Sequence, residues 1–200
     1  MMRKKYKVIL ILIVVGIGIL FTAYITLHRP QFGKLPEQVR LERIKQSPHY
    51  IQDEFAYSVT TPMLSDGEST LKIFWDNFWA KKQQTVPTQT IPTVKTNLLA
   101  LNPQQDVVIW LGHSAYYIQL AGKRILIDPV LSDHAAPFSF LVKAFKGSTL
   151  YKAKDIPEID YLLISHDHYD HLDYATVTQL KDKVKNVIVP LGIGSHFEYW

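Results

Sequence analysis

Eight consecutive positions, "HDHYDHLD" at residues 166–173, hold three histidines and three aspartates, and the apolar run Tyr161–Ile164 leads straight into them. His166 and His168 stand two apart at the end of an expected strand, so both imidazoles can face one side and share an ion. Asp170 and His171 follow as the chain bends, placed to face a second ion beside the first. Imidazole and carboxylate are the donors that zinc accepts where thiolate is absent, and they also suit iron or manganese. The chain has no cysteine, which removes both disulfides and thiolate sites. The competing reading is a polar capping loop that holds no metal. Within the loop, Asp167 reads as a solvated spacer, Tyr169 as packing or lining a cleft, and Asp173 as the cap of a following helix.

The elements that must position this loop are short and β-rich. "DVVIWLG", "AYYIQLAG" and "KRILIDPV" read as three strands, with Ala121-Gly122 as a tight hairpin between the second and third. A loop with aromatic and basic residues follows, then the strand "DYLLIS", the histidine loop, a helix over "DYATVTQLKDKV", the strand "NVIVPLG" and a helix start at "SHFEYW". Strands that pair first and then alternate with helices indicate an α/β layered domain.

His166-Asp167-His168-Tyr169-Asp170-His171 matches the H-x-H-x-D-H signature, and on it the chain resembles the metallo-β-lactamase superfamily of binuclear metal hydrolases. "VVIWLGHSAYYIQLAGKRILIDPVLSDHAAP" is similar to one branch, the N-acylphosphatidylethanolamine-hydrolysing phospholipase D-like enzymes and their bacterial lactonase-like relatives. "PQFGKLPEQVRLERIKQSPHYIQDEF" resembles the extension that precedes the fold there. The resemblance implies the first half of an αββα sandwich. It also implies that His166 and His168 bind one divalent ion and that Asp170 and His171 bind another, zinc foremost. Asp170 would in addition orient the nucleophile as a catalytic residue. Asp128 is then either a carboxylate that orients a ligand imidazole or a turn residue before Pro129; His113 either lines the cleft or packs at a strand end. His28, His49 and His134 have no partners in sequence and read as non-functional.

The resemblance also implies ligands from the second half of the fold: a third histidine, a bridging aspartate and a last histidine. After the loop only His196 remains, in a stretch that resembles a helix start, and no aspartate follows Asp182. The expectation is therefore an incomplete domain over residues 106–200 whose C-terminal half is absent from this chain, that is, part of a longer enzyme.

Five of the 22 basic residues stand in residues 1–29 with no acid among them, which leaves 17 bases against 18 acids in the rest. The basic character thus belongs to the N-terminus, and a nucleic-acid-binding body is not indicated. Residues 8–27 are uncharged, long enough to cross a hydrocarbon layer of roughly 30 Å. Residues 1–29 therefore read as an uncleaved membrane anchor, with a cleaved signal or a core helix as alternatives. Four bases ahead of Val8 favour a cytoplasmic N-terminus and an extracytoplasmic body. Residues 30–105 read as an extension and linker. Within it, Leu71, Phe74, Trp75, Phe78 and Trp79 form one face of a helix with Ser65 and Asp66 as caps. That face would dock on the body or lie on the bilayer.

The function expected is a membrane-anchored hydrolase acting on a phospholipid phosphodiester, with a lactone or small ester as the alternative substrate. A reading of another class is an inactive membrane-tethered remnant, or half of a site completed by a partner.

Overall fold

A computed structural model describes residues 4–59, 62, 64, 69–80 and 85–200. The first element is helix α1, Lys4–Leu27, uncharged from Val8 onward and with none of its residues buried. At about 1.5 Å per residue its 24 residues extend about 36 Å, enough to cross a bilayer core. The hydroxyl of Thr22 donates to the Gly18 carbonyl at 2.8 Å, so the helix satisfies this polar group internally.

Helix α2, Gln38–Lys45, and the two-residue strands β1, Tyr50–Ile51, and β2, Glu54–Phe55, form the extension. Helix α3, Thr70–Trp79, carries the aromatic stripe. Its cap is Ser69, whose side chain accepts from the Lys72 amide; the expected caps Ser65 and Asp66 lie outside the described residues. The stripe does not dock on the body: Leu71, Phe74, Trp75, Phe78 and Trp79 are all exposed, and the rings contact one another instead.

The body is one five-stranded mixed sheet in the order β3-β4-β5-β6-β7, the strands being Val107–Gly112, Ala115–Leu120, Lys123–Ile127, Ile159–Leu163 and Val184–Ile188. The first three are antiparallel neighbours, and β5, β6 and β7 run parallel. Ala121 and Gly122 both have positive φ, 49° and 73°, which closes the β4–β5 hairpin with the twist that paired strands favour. Helix α4, Tyr174–Leu180, connects β6 to β7, and α5, Gly194–Tyr199, follows β7.

One face of the sheet is covered. Tyr117, Leu126 and Leu162 are fully buried, together with Val177 and Leu180 of α4 and Leu98 and Ile156 from the flanking loops. Burying each large side chain is worth about 1.5–3 kcal/mol. Gln119 is buried on this face without cost, because its amide donates to the carbonyls of Asn102 and Gln105, both at 2.6 Å. Asp173 caps α4 as expected. It accepts from the Ala175 amide at 3.1 Å and from the hydroxyls of Ser132 and Thr176, both at 2.5 Å.

The opposite face is also apolar. Register places Trp110, Tyr116, Ile127, Leu163 and Ile188 side by side across all five strands. Val108 and Trp110 there are 67% and 52% exposed. Among the described residues no second sheet covers this face.

Candidate metal centre

Parallel strands end together, and Asp128 and Ser165 follow just past the ends of β5 and β6. The Asp128 amide donates to the Leu163 carbonyl at 3.0 Å, which continues the pairing one step beyond β5. Asp128 then turns with φ 42°, a left-handed conformation that aspartate tolerates better than most residues. Its carboxylate is almost fully buried and accepts three hydrogen bonds. The Ser165 amide reaches Oδ1 at 2.7 Å; the Ser165 hydroxyl and His171 Nδ1 reach Oδ2 at 2.6 and 2.9 Å.

These contacts fix the protons. A buried carboxylate has no donor of its own, so His171 carries its proton on Nδ1 and presents the lone pair of Nε2 outward. Ser165 spends its one hydroxyl proton on Asp128. Its oxygen can then only accept from His166 Nδ1, 2.9 Å away, which leaves His166 Nε2 free in the same way. Ser165 was not singled out from the sequence. Its only signal there is a hydroxyl between an apolar strand and the first histidine.

The turn from His168 to Leu172 folds the loop back on itself, with the amides of His171 and Leu172 donating to the His168 carbonyl at 2.9 and 2.8 Å. As a result the His166 ring lies 3.9 Å from that of His171 and 4.7 Å from that of His168. Asp170 Oδ2 sits 3.7 Å from His171 Nε2 and 2.9 Å from His113 Nε2. One donor atom each from His113, Asp170 and His171 lies within 4.8 Å of the others, a His/Asp triad that can coordinate one ion. With nitrogen and oxygen donors and no thiolate, and with the His171 lone pair freed by Asp128, these residues fit a divalent metal.

His113 arrives from elsewhere in the sheet. The β3–β4 register shifts between Trp110 and Gly112, and such a bulge redirects the side chain that follows it. Gly112 has φ 117°, and a Cβ there would come within 2.3 Å of the Ser148 carbonyl oxygen, so only glycine fits. The Trp110 indole donates to the His113 carbonyl at 2.7 Å and holds the turn. His113 thus enters the triad, whereas the sequence reading placed it at most on the cleft wall.

Burial opposes ionisation of Asp170, but its own amide and the His113 and His171 imidazoles outweigh that and hold its carboxyl below the usual range. Burial pushes the Tyr169 hydroxyl up to about 12, so it stays protonated. Asp167 is solvated, 4.0 Å from His196 Nε2. His196 serves packing: its Nδ1 accepts from the Lys34 amide at 3.0 Å, and its ring stacks on Trp200. Beside the triad opens a cleft of about 600 Å³ with His113 and Asp170 on one wall and Trp110, Val130, Val142 and Phe145 among its apolar lining.

Residues 123–200 match the Beta-lactamase superfamily domain. An uncharacterized protein of Mycobacterium tuberculosis is 32% identical over 158 residues, 78% of this chain and 42% of that protein. The N-acyl-phosphatidylethanolamine-hydrolyzing phospholipase D 1 of Caenorhabditis elegans is 39% identical over 87 residues, 42% of this chain and 24% of that enzyme. The 4-amino-L-phenylalanyl-[CmlP-peptidyl-carrier-protein] 3-hydroxylase of Streptomyces venezuelae is 33% identical over 92 residues, 46% of this chain and 16% of that enzyme. The chain spans less than half the length of each of these relatives.

Proposed function

From the metallo-β-lactamase superfamily domain at residues 123–200, we propose that the protein is a membrane-anchored, metal-dependent hydrolase whose substrate is a phospholipid phosphodiester. The observation that carries this reading is the Asp128–His171 contact. It fixes the imidazole with its free nitrogen beside Asp170 and His113, at the edge of a largely apolar cleft. The similarity to a phospholipid-hydrolysing enzyme, together with an N-terminal helix long enough to span a bilayer, supports the lipid substrate over a lactone or small ester.

In this reading residues 1–29 anchor the protein with the N-terminus cytoplasmic, residues 30–105 form the extension, and residues 106–200 carry the site. Two ions bind, zinc foremost: one through His166 and His168, the other through Asp170 and His171 with His113 beside them. Bound divalent ions supply Lewis-acid polarisation and make water acidic enough to attack near neutral pH. The chain's own groups do the rest. Asp128 holds His171 in one tautomer, and Ser165 does the same for His166. Asp170, ionised at neutral pH, is placed to accept a hydrogen bond from the attacking water and orient it. The apolar cleft wall takes up acyl chain and excludes bulk water.

The test is metal content and hydrolysis by the protein purified from its own membranes. Stoichiometric divalent metal, lost on His171→Ala, and release of phosphatidic acid from a phospholipid are expected. Asp128→Ala should weaken metal binding by roughly 10–100-fold. Metal with lactone opening but no lipid hydrolysis would move the substrate to the small esters. Hydroxylation in place of hydrolysis would move the reaction to the one that the Streptomyces relative is named for. No bound metal in the purified chain, with full cellular function in His166→Ala and Asp170→Ala variants, would favour a tethered interaction protein.

A further inference from the structure

We infer that the loop at residues 138–146, "FSFLVKAFK", inserts its tip into an anionic bilayer surface and opens the cleft beside His113 and Asp170 toward the lipid. The inference rests on the reading of α1 as a membrane span and adds a second membrane contact to it.

Three observations converge on this loop. Its composition is wrong for a solvent loop: Phe140, Leu141, Val142 and Phe145 are 71%, 44%, 67% and 43% exposed, and two lysines, Lys143 and Lys146, stand among them. Apolar side chains interleaved with lysine are the chemistry of an interfacial segment, in which the apolar groups enter the acyl boundary and the ammonium groups meet anionic headgroups.

The loop is also held rather than trailing. The Ala135 amide donates to the Val142 carbonyl at 2.9 Å and the Ala144 amide to the Asp133 carbonyl at 3.0 Å, forming a narrow two-stranded base. On its far side, the Ile91 amide donates to the Lys146 carbonyl at 2.9 Å and the Thr93 hydroxyl to the Gly147 carbonyl at 2.6 Å. A clamped base with an apolar tip can present that tip without paying to order the segment at the moment of contact.

Position is the third observation. Phe138, at the foot of the tip, packs edge-on against Phe32 with ring centroids 6.1 Å apart, and Phe140 stacks on Phe138 at 5.8 Å. Phe32 lies only five residues past the last residue of α1. The Trp200 indole donates to the Pro30 carbonyl at 2.7 Å and ties the same exit segment to the body. The tip therefore stands beside the point where the chain leaves the bilayer. Val142, Lys143 and Phe145 belong both to this loop and to the cleft wall, so lipid at the tip is lipid at the cleft.

The absence of native cysteine makes the test direct. Single cysteines at Val14, Phe140 and Asp182 are labelled with an environment-sensitive fluorophore in the full chain. The protein is then reconstituted into vesicles of phosphatidylcholine with and without phosphatidylglycerol, in plain and brominated-chain forms. Asp182 is exposed and lies before β7, at the end of the parallel strands remote from the site, and serves as the aqueous reference. The inference expects blue-shifted, bromine-quenched emission at Phe140→Cys in the anionic vesicles and water-like emission at Asp182→Cys. Lys143→Gln in the same background should lower the ratio of inserted to exposed label by roughly fivefold.

A quenched Val14→Cys label with a water-like Phe140→Cys label would overturn the loop inference and leave the anchor standing. A water-like Val14→Cys label would remove the anchor and this inference together. Emission at Phe140→Cys that shifts without bromine quenching and follows protein concentration would assign the tip to self-association, against the inference.

Discussion

The two faces of the β3–β7 sheet are made by the same strands with the same alternation, yet they end in different states. On one face Tyr117, Leu126 and Leu162 lie under α4 and the 98–101 turn, almost without solvent contact. On the other, Val108, Trp110, Tyr116 and Ile188 form an apolar surface with solvent beside it. Alternation along a strand specifies that a side chain points to a face; it does not specify what covers that face. The covered face therefore carries the stability of the body, and the open face carries an unmet demand for a neighbour.

The comparison breaks most sharply with truncation on the covered face. Leu126→Ala, at the centre of the sheet, should cost about 2–5 kcal/mol in denaturant unfolding, because the site between β4 and β6 has little room to collapse. Asp173→Ala comes next, at about 2–3 kcal/mol. It removes the cap of α4 and leaves the Ser132 and Thr176 hydroxyls short of an acceptor under the same layer.

A smaller effect appears on acidification. The Lys95 ammonium and the Lys152 amide hold the Asp155 carboxyl below its usual range, and the Arg124 amide and Lys185 do the same for Asp160. A carboxyl depressed in the folded state adds stability above its unfolded pKa of about 3.9, and that stability is lost as pH falls through the depressed value. Melting temperature should fall below about pH 4 as these two carboxyls take up protons, and Lys95→Ala should flatten the Asp155 share of that fall. Val108→Ser on the open face, where the side chain makes no hydrogen bond, should change stability by no more than about 1 kcal/mol. A loss there comparable to that of Leu126→Ala would mean that the open face is covered in solution and would erase the contrast.

Much of the body was legible in the sequence for local reasons. The five strands, the Ala121-Gly122 hairpin and the Asp173 cap each follow from a short pattern with a local cause. The histidine loop announced itself because its candidate donors are neighbours in the chain. His113 did not, since it stands 57 residues before Asp170 and reaches it only through the Gly112 bulge, which alternation does not reveal. Ser165 was missed because one serine carries no pattern. The aromatic stripe of α3 was read as one face of a helix, with the body or a bilayer as its partner, and of the two the body is not in contact with it. Periodicity gives the direction of a face and says nothing of its partner, and here the stripe stays exposed.

The junction between the extension and α5 has a mechanical consequence. Lys34 meets His196 and Ser195, Arg40 grips Glu198 through both carboxylate oxygens, and Gly33 lies so close to His196 that a Cβ would overlap its ring. While this clasp holds, the body hangs from α1 on almost no leash. If it were opened, residues 28–37, at about 3.4 Å per extended residue, would let the body range roughly 35 Å from the end of α1. A handful of polar contacts between partners about 160 residues apart therefore sets how far the His113–Asp170–His171 triad is carried from α1.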